Sequence, residues 1–224
     1  MKKGKLIVFE GIDGSGKNTQ LSLIRSRLHE EGVPFKTVEF PRHNQPSAYF
    51  INKYLDDLNN PYGDADELDP RLASIFFSVD RCDAGFGINR WLDKGFIVIS
   101  DRYTGSNAGH QGGKIKNKEE RKKYIDWLFD LEYNVLRIPK PSLNIIVSPP
   151  VEFAIKRIKE KRGSGDAHET NESHLKNSHD AYLWLADQYP DMFKAIETVE
   201  DGKELSKEDV HEKVWNLVKK EIEL

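Results

Sequence analysis

The sequence predicts an α/β fold in which a parallel sheet lies between layers of helices. Three observations predict it. Short apolar runs alternate with stretches of helical periodicity along the chain; the central runs, "FIVIS" (96–100) and "LNIIVS" (143–148), do not alternate apolar with polar; and a glycine-rich turn joins the first run to the first helix. A strand with no alternation is buried on both faces, which covering helices produce.

The elements follow in order. "KLIVFE" (5–10) is the first strand. Leu21, Ile24 and Leu28 then recur at helical spacing up to Gly32, a natural helix stop. "FKTVEF" (35–40) is the second strand, ended by Pro41. A helix over 70–81 starts on Pro70, a residue suited to a first turn. The runs at 96–100 and 143–148 are the third and fourth strands. Between them Asn117 and Glu120 have capping-box spacing, and Tyr124, Leu128, Leu131 and Val135 give the following helix one apolar face. "AIETVE" (195–200) fits a fifth, edge strand, and Ser206 to Leu224 a closing helix. Residues 157–180 carry few apolar anchors and are expected to be mobile over the surface. Within them His168, His174 and His179 do not share one helical face, which argues against a metal site. With no internal repeat or linker, residues 1–224 read as a single domain.

Composition narrows the function classes. A net charge of −3 with 32% charged residues gives no general attraction to nucleic acid. No apolar run approaches the roughly 20 residues that cross a bilayer, and "MKKGKLIVFEG" lacks the long apolar core of a secretory signal. Cys82 is the only cysteine, so an intrachain disulfide and a cysteine zinc site are excluded, and a cytoplasmic setting is expected.

"GIDGSGKNTQ" (11–20) carries the chemistry. Gly11, Gly16 and Lys17 match the phosphate-loop pattern G-x-x-x-x-G-K-[ST], between a strand and a helix as that loop requires. Glycines let backbone N–H groups turn inward around a polyphosphate, the helix adds its positive end, and the lysine reaches the outer phosphates. Gly11, Ile12, Asp13, Gly14, Ser15, Gly16, Lys17, Asn18 and Thr19 are therefore the expected ATP-binding segment. Asn18 stands where a hydroxyl usually holds Mg²⁺; its amide oxygen is a hard donor that can serve directly or through water. Thr19 lies one residue late for that role. Asp101, at the carboxyl end of the third strand, is the second expected Mg²⁺ anchor.

The acceptor is read from other groups. Phe77 and Arg81 lie four apart on one helix, a ring to stack a base and a guanidinium for a phosphate. Arg42 follows the second strand and Arg102 follows Asp101, so three arginines from separate segments could meet. A monophosphate approaching ATP is repelled by it, so such a site needs Mg²⁺, Lys17 and bidentate arginines and no strong general base. Glu39 leaves a hydroxyl acceptor, hence a deoxynucleoside kinase, open. A GTPase would need N-K-x-D, and "NKEE" (117–120) lacks the Asp. A nucleotide-binding scaffold without turnover is suggested only by Asn18.

In "FEGIDGSGK", "FPR", "FFSVDR", "SDRYTGSNAGHQGG" and, more loosely, "PPVEFAIKRIKEKRGSGDAHE", the chain resembles the thymidylate kinase family of P-loop nucleoside monophosphate kinases over nearly its whole length. The resemblance implies a P-loop NTPase-type three-layer fold with a five-stranded parallel sheet and a mobile lid at about 157–174, a homodimer, and Mg²⁺-dependent conversion of dTMP to dTDP with ATP. The monophosphate-binding region would be about 41–94. The resemblance puts Phe77 on thymine, Arg81 on base or phosphate, and Arg42 and Arg102 on the dTMP phosphate. Asp13 would contact the deoxyribose or the metal network, Asn107 and Gln111 would line the nucleoside pocket, and Tyr103 would crowd the sugar's 2′ carbon.

Against the family pattern, Ser15 stands where some members have an arginine, and Ala167 where a lid arginine is expected. Of Arg157, Lys161 and Arg162, Arg162 is the expected lid cation, placing Lys17, Arg102, Arg162 and Asp13 in the catalytic set. Gly109 in place of alanine reads as a mild change.

Overall fold

The first strand, β1 (Leu6–Glu10), shows why its sequence does not alternate. Ile7 and Phe9 pack with Leu21, Ile24 and Leu28 of α1 (Lys17–Glu30) and with Val214 and Val218 of α8 (Lys207–Ile222), on one face of the sheet. Leu6 and Val8 point the other way, into Ala84, Ile88 and Leu92 of α3 (Pro70–Asp93). Each such side chain contributes about 1.5–3 kcal/mol by leaving water, so both faces need helices. The computed structural model describes residues 3–56, 59–162 and 172–224, without the side chains of 161 and 162.

Five parallel strands form the sheet in the order β2-β3-β1-β4-β5. The others are β2 (Phe35–Glu39), β3 (Ile97–Asp101), β4 (Leu143–Ser148) and β5 (Phe193–Glu197). The register pairs Phe9 and Glu39 with Asp101, and Glu10 with Ile146. The ends of β1, β2 and β3 therefore come level, and polar side chains collect at the carboxyl edge of an open sheet, where ligands bind. The remaining helices are α2 (Tyr49–Tyr54), α4 (Thr104–Gly113), α5 (Lys118–Phe129), α6 (Val151–Arg162) and α7 (Glu172–Gln188). Val199–Glu200 and Lys203–Glu204 form a two-stranded hairpin, β6 and β7.

Several sequence expectations move. The helix from Pro70 continues to Asp93, because its apolar positions recur beyond residue 81. The fifth strand lies at Phe193–Glu197, two residues earlier than expected; Val199 and Glu200 pair in the hairpin instead. The polar stretch 157–180 is helical at both of its described ends, in α6 and α7, with Leu175 and Ser178 buried, so at residues 157–162 and 172–180 helix replaces the expected surface loop. Residues 163–171, including Ala167 and His168 of the expected lid, lie outside the described residues.

Asn117 does cap α5, accepting from the N–H groups of Glu119 and Glu120. Asp130 to Val135 then form a π-helical turn. A wider turn shifts the phase of the helix face. Val135, expected in the core, is 64% exposed, whereas Glu132 is fully buried.

Candidate active site

The loop between β1 and α1 holds its shape through two glycines, Gly11 and Gly14, at which a side chain would clash with neighbouring backbone. Gly14 has φ +74°, and a Cβ there would stand 2.4 Å from the carbonyl oxygen of Ala154; at Gly11 the corresponding approach is 2.7 Å to that of Val147. The loop is thus pressed against β4 and α6. Arg157 of α6 completes the clamp, donating from Nη1 to the carbonyls of Gly14 and Ser15, both at 3.1 Å. This is where the structure puts one of the three cations considered for the lid. Arg162 ends α6, and its side chain, like that of Lys161, lies outside the described residues.

Lys17 opens α1 and is buried. Its ammonium donates to Asn18 Oδ1 at 3.2 Å and forms an ion pair with Asp101 Oδ1. Burial, then the nearby Arg102, lower the Lys17 pKa, while Asp101 works to raise it. Two hard oxygens, from Asn18 and Asp101, therefore converge on one point where a cationic nitrogen sits. That donor set fits Mg²⁺, which accepts few protein ligands and retains water. No group of three or more His, Cys, Asp or Glu among the described residues forms a metal cage. Thr19 is exposed and joins neither oxygen.

Arg102, between β3 and α4, has φ +64°. Its Nη1 donates to the carbonyl of Gly11 at 3.1 Å and its Nη2 to Asp13 Oδ1 at 2.6 Å. Lys17 with Asn18 and Asp101, and Arg102 with Asp13, thereby form two contact pairs side by side at one edge of the sheet, where Asp101 and Arg102 adjoin in sequence.

The other two arginines are paired with other carboxylates, Arg42 with two and Arg81 with one. Arg42 follows the cis Phe40–Pro41 bond and is clamped on α3: Nε donates to Asp80 Oδ1 at 2.9 Å and Nη2 to Asp83 Oδ2 at 2.6 Å. Arg81 is fully buried, donating from Nε to Glu132 Oε2 at 2.8 Å and from Nη1 to the Tyr103 carbonyl at 3.4 Å. Phe77 shares its helix face only in part, lying half-buried with its ring edge-on to Tyr54 at 6.0 Å.

Asn107 donates to the Ser74 carbonyl at 3.2 Å and Gln111 to Tyr54 Oη at 3.2 Å. The Oε1 atom of Gln111 is buried with no partner among the described residues. Tyr103 is fully buried, its ring 5.5 Å from that of Phe40 in the core between β1, β3 and α3. Glu39 is exposed at the end of the edge strand β2.

Sequence reasoning missed Glu10, Asp80, Asp83, Glu132, Tyr54 and His110. Glu10 accepts from Tyr103 N–H at 2.9 Å, Ser106 Oγ at 2.5 Å and Tyr182 Oη at 3.2 Å. Burial pushes its pKa up to about 7 against these hydrogen bonds and the charges of Arg102 and Lys17. A usable signal existed only for Glu132, an acid at helical spacing from Ile125 and Leu128.

A family model described as Thymidylate kinase matches residues 9–214. A probable thymidylate kinase of Methanococcoides burtonii is 31% identical over 217 residues, covering 96% of this chain and 98% of that one. A thymidylate kinase of Dictyostelium discoideum is 30% identical over 158 residues, 70% of this chain and 64% of that one. Among solved structures, thymidylate kinase from Candida albicans superposes with a TM-score of 0.70 over 98% of this chain and 94% of that one. At 23% identity that likeness shows a shared fold.

Proposed function

Because this chain belongs to the thymidylate kinase family and phosphorylates dTMP to dTDP, we propose that ATP held in the 11–18 loop with Mg²⁺ is its phosphoryl donor. The observation that carries this reading is the pair of ion pairs, Lys17 with Asp101 and Arg102 with Asp13, brought side by side by the adjacent residues Asp101 and Arg102. It sets two cations and the metal-type oxygens beside the loop that would hold the polyphosphate.

On this reading Lys17 leaves Asp101 when the nucleotide enters and follows the phosphates. Asn18 and Asp101 would then hold Mg²⁺, which when bound neutralises charge on the phosphate oxygens. Arg42 and Arg102 orient the dTMP phosphate, which attacks as an anion and needs no base. Phe77 stacks on the thymine. Arg81, Asn107 and Gln111 line the nucleoside pocket, and Tyr103 forms the wall beneath it. Asp13 both orients Arg102 and faces the sugar. One domain carries the loop, the monophosphate region at 41–94 and this chemistry, in a cytoplasmic enzyme.

The proposed assembly is a homodimer. Leu72, Ile75, Val79 and Phe86 are 42–67% exposed on α3 and repeat at helical spacing, which makes one apolar stripe along the helix. Phe50, stacked on Phe76 at 5.6 Å, extends it. Light scattering should give twice the chain mass for the wild type and the chain mass for Val79→Glu; a monomeric wild type rejects the assembly.

A coupled assay offering ATP with dTMP, dUMP, dCMP, dGMP or thymidine, with and without Mg²⁺, tests the chemistry. Turnover of dTMP that vanishes without Mg²⁺ supports the reading. Phosphorylation of thymidine but not dTMP, or metal-independent turnover, overturns it.

A further inference from the structure

Helices α4 and α7 approach closely because α4 carries glycine where they touch. A Cβ on Gly109 would stand 2.5 Å from the ring of Tyr182, and one on Gly113 would stand 2.9 Å from the backbone of Asn177. This approach lays His174 of α7 on His110 of α4, the two rings stacked with centroids 5.5 Å apart and planes within 11°. Both imidazoles belong to a chain of contacts that starts at the reaction edge. Arg102 Nη1 lies 3.0 Å from His110 Nε2, His110 Nδ1 lies 3.3 Å from His174 Nε2, and His174 Nδ1 lies 3.2 Å from Asp66 Oδ1.

The direction of this chain is set by elementary donor chemistry. A guanidinium only donates, so His110 Nε2 accepts. A neutral imidazole then carries its proton on Nδ1 and donates it to His174 Nε2. His174 in turn carries its proton on Nδ1, facing the Asp66 carboxylate. Burial, then Arg102, push the His110 pKa down to about 3, which keeps the ring neutral and able to accept.

These contacts leave Arg102 with one edge in use. Nη1 is taken by Gly11 and His110, with Ser106 Oγ further off at 3.5 Å, and Nη2 is tethered to Asp13. Without the His110 acceptor, Nη1 would keep only the Gly11 carbonyl and the Ser106 hydroxyl at 3.5 Å, and Nη2 the exposed Asp13 carboxylate, so the guanidinium would be held less tightly about its Cδ–Nε bond. We infer that His110, itself held by His174, is a positioning residue that fixes the rotation of Arg102 and so presents its Nε edge to the acceptor phosphate. The inference rests on the proposed contact between Arg102 and that phosphate.

The test is the ratio of dTMP to thymidine affinity, measured by calorimetry on the full chain, because only dTMP carries the phosphate. Arg102→Ala should lower the ratio about ten-fold, the effect of one hydrogen bond to a charged group. His110→Phe should lower it to a similar extent with thymidine affinity unchanged. His110→Gln, whose amide oxygen can replace Nε2, should keep the ratio within about three-fold. His110→Asn, which keeps the His174 side and loses the Arg102 acceptor, should behave like His110→Phe and carries the test if the latter does not fold. A fall in both affinities together would mean a packing role and overturn the inference. So would a normal ratio in His110→Phe or His110→Asn beside a lowered ratio in Arg102→Ala. An unchanged ratio in Arg102→Ala would instead remove the phosphate contact itself, and this inference with it.

Discussion

The carboxylate of Glu132 receives both Nε and Nη2 of Arg81, and neither side chain is more than 2% exposed. Ser78 Oγ and Thr104 Oγ1 donate to the remaining positions on the two oxygens, at 2.7 and 2.6 Å. Four donors from α3 and α4 thus saturate one acid delivered by the π-helical turn. A buried pair of this kind is costly to halve and far less costly to replace whole.

Glu132→Ala should therefore destabilise the protein by about 3–5 kcal/mol, since it strands the Arg81 charge in the core. The double variant Arg81→Met/Glu132→Leu should recover most of that loss while losing nucleotide binding. Urea denaturation of the three proteins is the check. A double variant no more stable than Glu132→Ala would contradict the account.

The two oxygens around Lys17 yield a metal prediction. Asn18→Ala and Asp101→Asn should each raise the Mg²⁺ concentration needed for half-maximal rate, by about ten-fold for Asp101→Asn and less for Asn18→Ala. Activity titrated with Mg²⁺ at fixed ATP reads this directly. An unaltered Mg²⁺ requirement in both variants would take both side chains away from the metal.

Glu10 and His110 make opposite predictions about pH. Glu10 moves from its usual 4.5 up to about 7. The native state therefore holds this proton more tightly than the unfolded chain, and the stabilisation is complete below 4.5 and lost as pH rises through 7. His110 moves from 6.5 down to about 3, so its contribution is complete above 6.5 and lost as pH falls through 3. Relative to the wild type, Glu10→Gln should gain stability as pH rises from 4.5 to 7. His110→Gln should gain it as pH falls from 6.5. Denaturation midpoints across this range test both signs, and curves parallel to the wild type would refute them.

Gly109→Ala, a mild change against the family pattern, places a methyl 2.5 Å from a fully buried tyrosine ring. Overpacking of this sort costs about 1–3 kcal/mol. Combining it with Tyr182→Val should show a coupling of at least about 1 kcal/mol in a double-mutant cycle. Strict additivity would mean that α7 simply moves aside.

Much of this molecule was legible in the sequence because it depends on neighbours along the chain. Gly11, Gly16 and Lys17 sit where a strand must turn into a helix, and Asp101 sits where a buried strand ends. Asn117 and Ser206 cap their helices through the next few N–H groups. Each of these rests on torsional preference, periodicity or capping over a few residues, and the linear order of amino acids carries that information. The helix face ending in Val135 failed at the same level, because a π-helical turn changed its phase.

Taken alone, the sequence determined the alternation of strands and helices, the glycine cradle and the family. Which partner each buried charge acquired was decided only in three dimensions. Arg81 meets Glu132 across 51 residues and Lys17 meets Asp101 across 84. The physical reason is that desolvating a charge forces it to find a complement within hydrogen-bond reach. Which side chain lies within reach depends on sheet register and on how closely helices such as α4 and α7 can pack.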